Sequence, residues 1–261
     1  MRLALRLLAA MGVAALVYAS TALAQGAPDK VRLQIKWVPQ AQFAGYFVAL
    51  DKGYYADENL DVQIIPGGPD IVSEQQVANG QADFGVDWVA SFLAFRDKGL
   101  PLIDVAQVYQ SSGLMLISRK SQNILSPADL RGKYVGVWYG GNEFEFLALM
   151  DKVGYDPDKD LNVIKQGFTM DPFLAGQMDA AGAMTYNEYE VVLESGVSPD
   201  DLNVIRYNDE GVGMLEDNLF TTEDTDQLAR QAHAREQPQA QPRPMGSLQA
   251  EMTMLSSCCG S

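Results

Sequence analysis

Histidine and cysteine are almost missing from this chain. Of its 261 residues one is histidine, His233, and two are cysteines, Cys258 and Cys259, adjacent near the far end. No C-x-x-C spacing exists to hold a metal, and vicinal cysteines bridge each other only under strain. The body of the chain therefore offers neither a disulfide nor a thiol nucleophile. No Gly-x-Ser-x-Gly elbow is present either and no histidine lies in the body, which disfavours a serine hydrolase. Positive charge is scarce: 19 Lys and Arg face 34 Asp and Glu, for a formal charge of -15. Such a balance favours solubility and repels nucleic acid and anionic membranes. It also argues against a site dominated by cations, although one buried Arg is compatible with it.

Long apolar runs are missing as well, with a single exception at the start. Arg2 and Arg6 precede an apolar stretch, Leu7 to Val17, and small residues then lead to Thr21-Ala22-Leu23-Ala24. That order fits a secretory signal peptide cut after Ala24. The alternative is an uncleaved anchor, since the 18 residues from Leu7 to Ala24 are borderline for crossing a bilayer. No cysteine lies near the site to carry a lipid. Residues 1–24 hold two Arg and no acid, so the mature chain of about 237 residues sits near -17, and it is long enough for one or two packed domains.

From Val31 onward, strand and helix patterns alternate. Val31–Trp37 alternates apolar and polar residues as a half-buried strand does. Phe43–Tyr55 reads as one helix. Leu60–Pro66 is a strand stopped by Pro66-Gly67-Gly68-Pro69, Ile71–Asn79 a helix, Ala82–Val86 a strand and Trp88–Lys98 a helix ending at Gly99. Strands are expected at Leu102–Tyr109, Leu114–Ser118, Tyr134–Trp138, Leu161–Lys165, Ala180–Met184 and Leu202–Tyr207, with helices at Glu143–Val153 and Asn187–Ser195. Such βαβ alternation predicts an α/β fold with parallel sheets covered by helices. The chain also repeats itself. Ala78-Asn79-Gly80-Gln81-Ala82-Asp83 returns in form as Leu174-Ala175-Gly176-Gln177-Met178-Asp179, and Asp160-Leu161-Asn162-Val163-Ile164 returns as Asp201-Leu202-Asn203-Val204-Ile205. Two similar α/β lobes explain the first repeat; a common αβ junction is the plainer account. After Asp224 the rhythm stops, and residues 225–261, rich in Gln, Pro and Ser, read as disordered: a native linker or, as favoured here, the product of a shifted reading frame.

Three runs carry a family resemblance: Lys36-Trp37-Val38-Pro39, the stretch Phe43-Ala44-Gly45-Tyr46-Phe47-Val48-Ala49 with Lys52-Gly53-Tyr54-Tyr55, and Trp138-Tyr139-Gly140-Gly141-Asn142-Glu143. Together with Ala78–Val86 they resemble the solute-binding proteins for thiamine pyrimidine precursors, secreted relatives of a eukaryotic enzyme that makes the pyrimidine of thiamine. The resemblance spans about Val31 to Asp224. It implies a type II periplasmic binding protein fold, with two α/β lobes around a ligand cleft: residues 25–115 as lobe one, 116–212 as lobe two and 213–224 returning toward lobe one. It further implies a monomer that delivers a small heterocyclic ligand to the permease of an ABC transporter, without a cofactor. The family's C-terminal helices have no counterpart in the tail. The related enzyme uses a histidine reactant, a lysine-bound pyridoxal phosphate and a cysteine-rich iron site; with His233 and both cysteines confined to the tail, the resemblance points to a binder and not to an enzyme.

A heterocycle needs a flat apolar wall and a few aimed polar groups. Trp37 ends the first strand, where α/β sheets place ligands; it is either a stacking wall or a core residue. Gln42 and Phe43 open the next helix. Asp87 and Trp88 join a strand to a helix, where Asp87 is equally available as an N-cap. Gly140, Gly141 and Asn142 form a turn whose N–H groups can receive a carbonyl or an anion, and Glu143 is either an acceptor or a favourable first-turn charge. The resemblance suggests that Tyr186 and Glu188 hold an aminopyrimidine, with Ser112 a weaker candidate. Trp88 and Trp138 would widen the cleft for a flavin-like ring, the runner-up ligand. A sulfonate or nitrate is disfavoured because none of these positions is an Arg.

Overall fold

The computed structural model describes residues 27–236. The predicted signal peptide, both cysteines and the rest of the tail beyond Glu236 lie outside them, and so does the side chain of His233. In chain order the strands are β1 (Asp29–Gln34), β2 (Leu60–Ile65), β3 (Phe84–Asp87), β4 (Leu102–Gln107), β5 (Leu114–Arg119), β6 (Tyr134–Val137), β7 (Asn162–Lys165), β8 (Ala180–Met184), β9 (Leu202–Arg206) and β10 (Asn218–Thr222). The α-helices are α1 (Ala44–Asp51), α2 (Tyr54–Asp57), α3 (Ser73–Ala78), α4 (Val89–Asp97), α5 (Glu143–Val153), α6 (Pro157–Asp160), α7 (Asp171–Leu174), α8 (Glu188–Glu194) and α9 (Glu223–Glu236). Among the described residues no helix is long and apolar enough to cross a membrane.

The strands form two five-stranded sheets with the same order: β2-β1-β3-β10-β4 and β7-β6-β8-β5-β9. In the first, β1 runs parallel to β2 and β3. In the second, β6 runs parallel to β7 and β8. Each sheet then takes one antiparallel strand in its fourth place. That strand is β10 in the first and β5 in the second. Both are strands that the chain enters directly after crossing from the other sheet. Two α/β lobes are the architecture expected from the sequence, but the sheets are mixed and not purely parallel, because the strand arriving from the other lobe enters each of them antiparallel.

The repeated motif explains itself at this level. Gly80 and Gly176 both take left-handed backbone angles, with φ of 69° and 74°, and end α3 and α7. A Cβ is strained there, so glycine is the residue that lets the helix stop and turn into the strand. The aspartate three residues on then clamps the neighbouring strand. Asp83 accepts from the Arg32 amide at 2.7 Å and its own amide donates to the Arg32 carbonyl. Asp179 does the same with Tyr134, at 2.9 Å. The motif is thus a strand-locking device used once per lobe. The second repeat has a different meaning: Asn162–Ile164 lies in β7 and Leu202–Ile205 in β9, the two opposite edges of one sheet.

Two sequence expectations are corrected. Phe43–Tyr55 is not one helix. A short 3-10 turn precedes α1, and Gly53, at φ 76°, breaks the chain before α2. Phe43 is fully buried, whereas Leu50 and Tyr54 face solvent. The end of regular structure at Asp224 is also wrong, because α9 continues to Glu236. Its first turn carries Glu223, Asp224 and Asp226, which favour a helix N-terminus, and Asp226 pairs with Arg230 at 2.7 Å one turn later.

Lobe one holds its core around β10. Phe220 is completely buried, its ring 5.6 Å from that of Phe92. It fits because its neighbour on β3 is Gly85: a Cβ there would lie 2.4 Å from the Phe220 ring. Phe220→Ala should therefore cost about 3–5 kcal/mol, as large core truncations do. Urea unfolding followed by far-UV circular dichroism will show it, and a loss under about 1 kcal/mol would mean that the returning strand is not part of the core.

Candidate functional site: a cleft between the lobes

A cleft of about 120 Å³ opens where the C-terminal ends of β1 and β3 in lobe one face β6 and β8 in lobe two. Ligands of open α/β sheets sit at such strand ends. All three tryptophans of the chain line it: Trp37 after β1, Trp88 after β3 and Trp138 after β6. The Trp37 ring lies 4.9 Å from that of Phe168, which belongs to the β7–α7 connection. Trp138 is fixed by its indole N–H, which donates to the Gly167 carbonyl at 2.9 Å. Trp88 is buried against residues of lobe two such as Phe146 and Met184. The aromatic wall is thus drawn from both lobes and held by contacts between them.

Seven of the twelve predicted site residues line this cleft: Trp37, Gln42, Asp87, Trp88, Gly140, Asn142 and Glu188. The structure shows what each polar group already holds. Asp87 Oδ1 accepts from the Trp88 amide at 2.7 Å and pairs with Lys36 Nζ at 2.6 Å. Asp87 is not the N-cap of α4, since Trp88 stands in that position. Lys36 Nζ donates in addition to the Gly140 carbonyl across the cleft. Gln42 Oε1 accepts from Gln40 at 2.8 Å. Both Glu188 oxygens are occupied by their own chain, one by the Met184 amide at 3.0 Å and one by the Asn187 side chain at 2.8 Å.

Five predicted site residues lie elsewhere. Phe43 belongs to the lobe-one core with Leu33, Ile35 and Val86. Gly141 lies against Trp88: at φ 130°, a Cβ on it would come within 3.1 Å of the indole. Glu143 accepts from the Gly141 amide at 2.6 Å, closing the turn before α5. Ser112 and Tyr186 belong to the connection between the lobes. Residues 108–113 and 207–217 are the two crossing segments, and Glu216 joins them. It accepts from the Gly113 amide, from Ser112 Oγ at 3.1 Å and from the Tyr186 hydroxyl at 2.9 Å. Asn208 donates to the Ser112 carbonyl at 2.6 Å. Tyr186 also stacks on Tyr109, with ring centroids 6.4 Å apart. At a strand end, a serine and a tyrosine of this kind look alike whether they meet a ligand or a hinge.

Sequence reasoning misses Lys36 and Glu74. Lys36 stands out only as part of a family run. Glu74 lies among glutamines and resembles a solvated helix face, yet it shares the buried face of α3 with Val77, three residues on. It lines the cleft and is fully buried, and neither of its oxygens has a hydrogen-bond partner among the described residues. Burial first, and the Asp87 charge second, push its carboxyl up to about 8, while the nearby Ser91 hydroxyl and the Lys36 charge pull the other way.

The acids behind the cleft are shifted in the same direction. Burial raises Glu145 to about 7 against the hydrogen bonds from the Met214 amide and Ser112, and the Glu216 charge adds to the rise. Glu216 and Asp217 are raised mainly by burial too. Asp217 stands at φ 49°, in the left-handed region, with both oxygens buried and unpartnered among the described residues.

The chain matches the family described as NMT1/THI5-like over residues 40–235. It is 30% identical over 195 residues to the formylaminopyrimidine-binding protein of Halalkalibacterium halodurans, covering 72% of this chain and 58% of that one. It is 27% identical over 191 residues to a putative thiamine biosynthesis protein of Haemophilus influenzae, covering 70% of this chain and 60% of that one. The riboflavin-binding protein RibY of Chloroflexus aurantiacus is 31% identical over 155 residues, 56% of this chain and 42% of its own length. The chain therefore spans about three fifths or less of the curated relatives it matches. Among solved structures, the periplasmic aliphatic sulphonate binding protein SsuA of Escherichia coli superposes with a TM-score of 0.60 at 16% identity, over 77% of this chain and 63% of that one. The alkanesulfonate-binding protein SsuA of Xanthomonas axonopodis pv. citri gives 0.59 at 16%, over 78% and 68%. At such identities the likeness is one of fold.

The raised acids set a pH dependence of stability. A carboxyl held near 7 or 8 in the folded chain keeps a proton that the unfolded chain releases near its ordinary 4.5. Stability is then full below about 4.5 and falls as pH rises through 7 to 8. Carboxyls held low, such as Asp83 and Asp129, act below their ordinary 3.8 and leave this window alone. The melting temperature should thus fall from pH 5 to pH 8. Glu145→Gln, whose carboxyl otherwise faces Glu216, Ser112 and the Met214 amide, should flatten the part below about 7. A melting temperature that rises over this range would contradict the assignment.

Proposed function

Because the chain belongs to the NMT1/THI5-like family, we propose that it is the solute-binding component of an ABC import system and that it takes a thiamine pyrimidine precursor in the cleft. The observation that carries this reading is the cleft itself. Three tryptophans supply flat apolar walls, the polar groups are mostly acids and amides, and the only cation lining it among the described residues, Lys36, is already paired with Asp87. A neutral or weakly basic planar ring suits such a site; an oxyanion wants free cations or aimed amides. Two named relatives, the formylaminopyrimidine-binding protein and the thiamine biosynthesis protein, support the ligand class.

Delivery to a membrane permease and residence in the periplasm after signal-peptide cleavage complete the proposal. They are supported by the fold shared with periplasmic binding proteins and by the signal-like first 24 residues. The family also includes yeast proteins named as pyrimidine phosphate synthases, 25% identical over 155 residues. A synthase role is disfavoured here, because the single histidine of the sequence is His233, far from the cleft residues in the chain. Riboflavin is the second reading, favoured by RibY and by the width that three tryptophans give the cleft.

A thermal-shift titration of the mature chain tests these readings. Ligands that bind only the folded state raise its melting temperature with concentration over Kd. A shift with 4-amino-5-hydroxymethyl-2-methylpyrimidine or its formylamino relative, and none with taurine or nitrate, is expected. Trp37→Ala should weaken that binding roughly ten-fold, equivalent to about 1.4 kcal/mol. A shift with taurine alone would remove the heterocycle and keep the fold.

A further inference from the structure

Glu74 is the one cleft acid whose oxygens are both unpartnered among the described residues. Asp87 is taken by Lys36 and the Trp88 amide, and Glu188 by Met184 and Asn187. Lys36, the cation of the cleft, is itself held between Asp87 and the Gly140 carbonyl, so it offsets a Glu74 charge only in part. A fully buried carboxyl without protein partners is costly, and each such group in a folded chain calls for an explanation. Here it lines the ligand cleft, beside Trp88 and Ser91.

We propose that Glu74 is the specificity residue of the cleft and that, as a neutral carboxylic acid, it pairs edge-on with a heterocycle that presents a hydrogen-bond donor and an acceptor side by side. The inference rests on the proposed ligand class and deepens it. An aminopyrimidine has such an edge, formed by the exocyclic amine and the adjacent ring nitrogen. The acid's O–H donates to the ring nitrogen and its carbonyl oxygen accepts from the amine. Two parallel hydrogen bonds form, no proton changes owner and no net charge enters the cleft. The neutral form suits the surroundings. Asp87 from β3 opposes a second negative charge, Lys36 and Ser91 offset this in part, and Glu188 adds an acid from the lobe-two side of the cleft. A carboxyl near 8 is mostly protonated at neutral pH. A sulfonate, which offers acceptors only, can take the Glu74 O–H but leaves the acid's carbonyl oxygen facing an anion.

The neutral pair separates two substitutions that a simple charge interaction would not. A glutamine amide has the same donor–acceptor edge as a protonated carboxyl, whereas leucine fills the space with neither. The expected result by calorimetry with 4-amino-5-hydroxymethyl-2-methylpyrimidine at pH 7 is that Glu74→Leu loses at least roughly ten-fold in affinity. Glu74→Gln should rescue most of that loss. Wild-type affinity should fall by about ten-fold per pH unit above 8, as a required proton leaves, and the glutamine variant should not follow it. Cooperative melts of both variants confirm that they fold; if the leucine variant does not, the pH profiles of wild type and Glu74→Gln decide alone. Wild-type affinity in Glu74→Leu, or identical pH profiles in wild type and Glu74→Gln, would overturn the proposal. Should the wild type ignore the pyrimidine and bind riboflavin, the ligand reading fails. The flavin ring also has an adjacent N–H and carbonyl, so a loss in Glu74→Leu would still uphold the role of Glu74. Binding of taurine with no effect of either substitution would sink both.

Discussion

The two lobes depend on one buried carboxylate. Glu216 accepts from the backbone of the first crossing segment at Gly113 and from its Ser112 hydroxyl, while belonging itself to the second. Through the Tyr186 hydroxyl it reaches the end of β8 as well. Removing one partner of a buried hydrogen-bonded acid leaves the others unsatisfied, so the crossing segments are held as a unit. On each side of this node the chain continues into a strand that fills the fourth place in a sheet, β5 in one lobe and β10 in the other. Sheet completion and lobe connection are thus one event.

That arrangement has an electrostatic cost that a cation offsets only in part, and only at Asp217. Glu145, Glu216 and Asp217 are buried together behind the cleft, and Lys36 is the charge that pulls Asp217 down. In a low-dielectric interior, burial favours the protonated form of such acids over ionising side by side. The same logic extends to Glu74 at the front. An overall charge of -15 makes the chain strongly anionic, yet in the cleft the Asp87 charge is paired with Lys36 and burial favours the protonated form of Glu74. Global charge and local charge therefore say different things about the ligand.

Much of this was legible in the sequence, for reasons that are local. Alternating patterns located nine of the ten strands, because burying one sheet face imposes a period of two or a run of small apolar residues. The helix-Gly-Gln-x-Asp repeat announced two lobes, since the glycine and the aspartate each do a local backbone job that recurs at Gly80 and Gly176. The strand β10 escaped because Asn218–Thr222 has no regular alternation and depends on β3 and β4 for its place. At the site, tryptophans were found easily, being few and large. The acids were not. Glu188 stood at a strand end beside a tyrosine, where a ligand group is expected, and its oxygens turn out to be used by its own turn. Glu74 stood in a run of polar residues, and only the packing of α3 against the sheet makes it a buried acid. Which acid is free is a property of tertiary partners, and no spacing rule carries it.

The same distinction governs what fold likeness can say about the ligand. The sulfonate-binding structures share the two-lobed frame at 16% identity, and that frame fixes where a ligand sits, at the strand ends between the lobes. It does not fix what sits there, because the groups aimed into the cleft come from loops and first helical turns, whose side chains the frame itself does not dictate. In this chain those positions deliver three indoles, an already paired lysine and an acid with two unpartnered oxygens. On the proposed reading a sulfonate brings its charge beside Glu188 and the Lys36–Asp87 pair, with no unpaired cation among the described lining residues to meet it. On that same reading a planar ring with a donor–acceptor edge would stack on the indoles and pair edge-on with Glu74, giving partners to both of its oxygens.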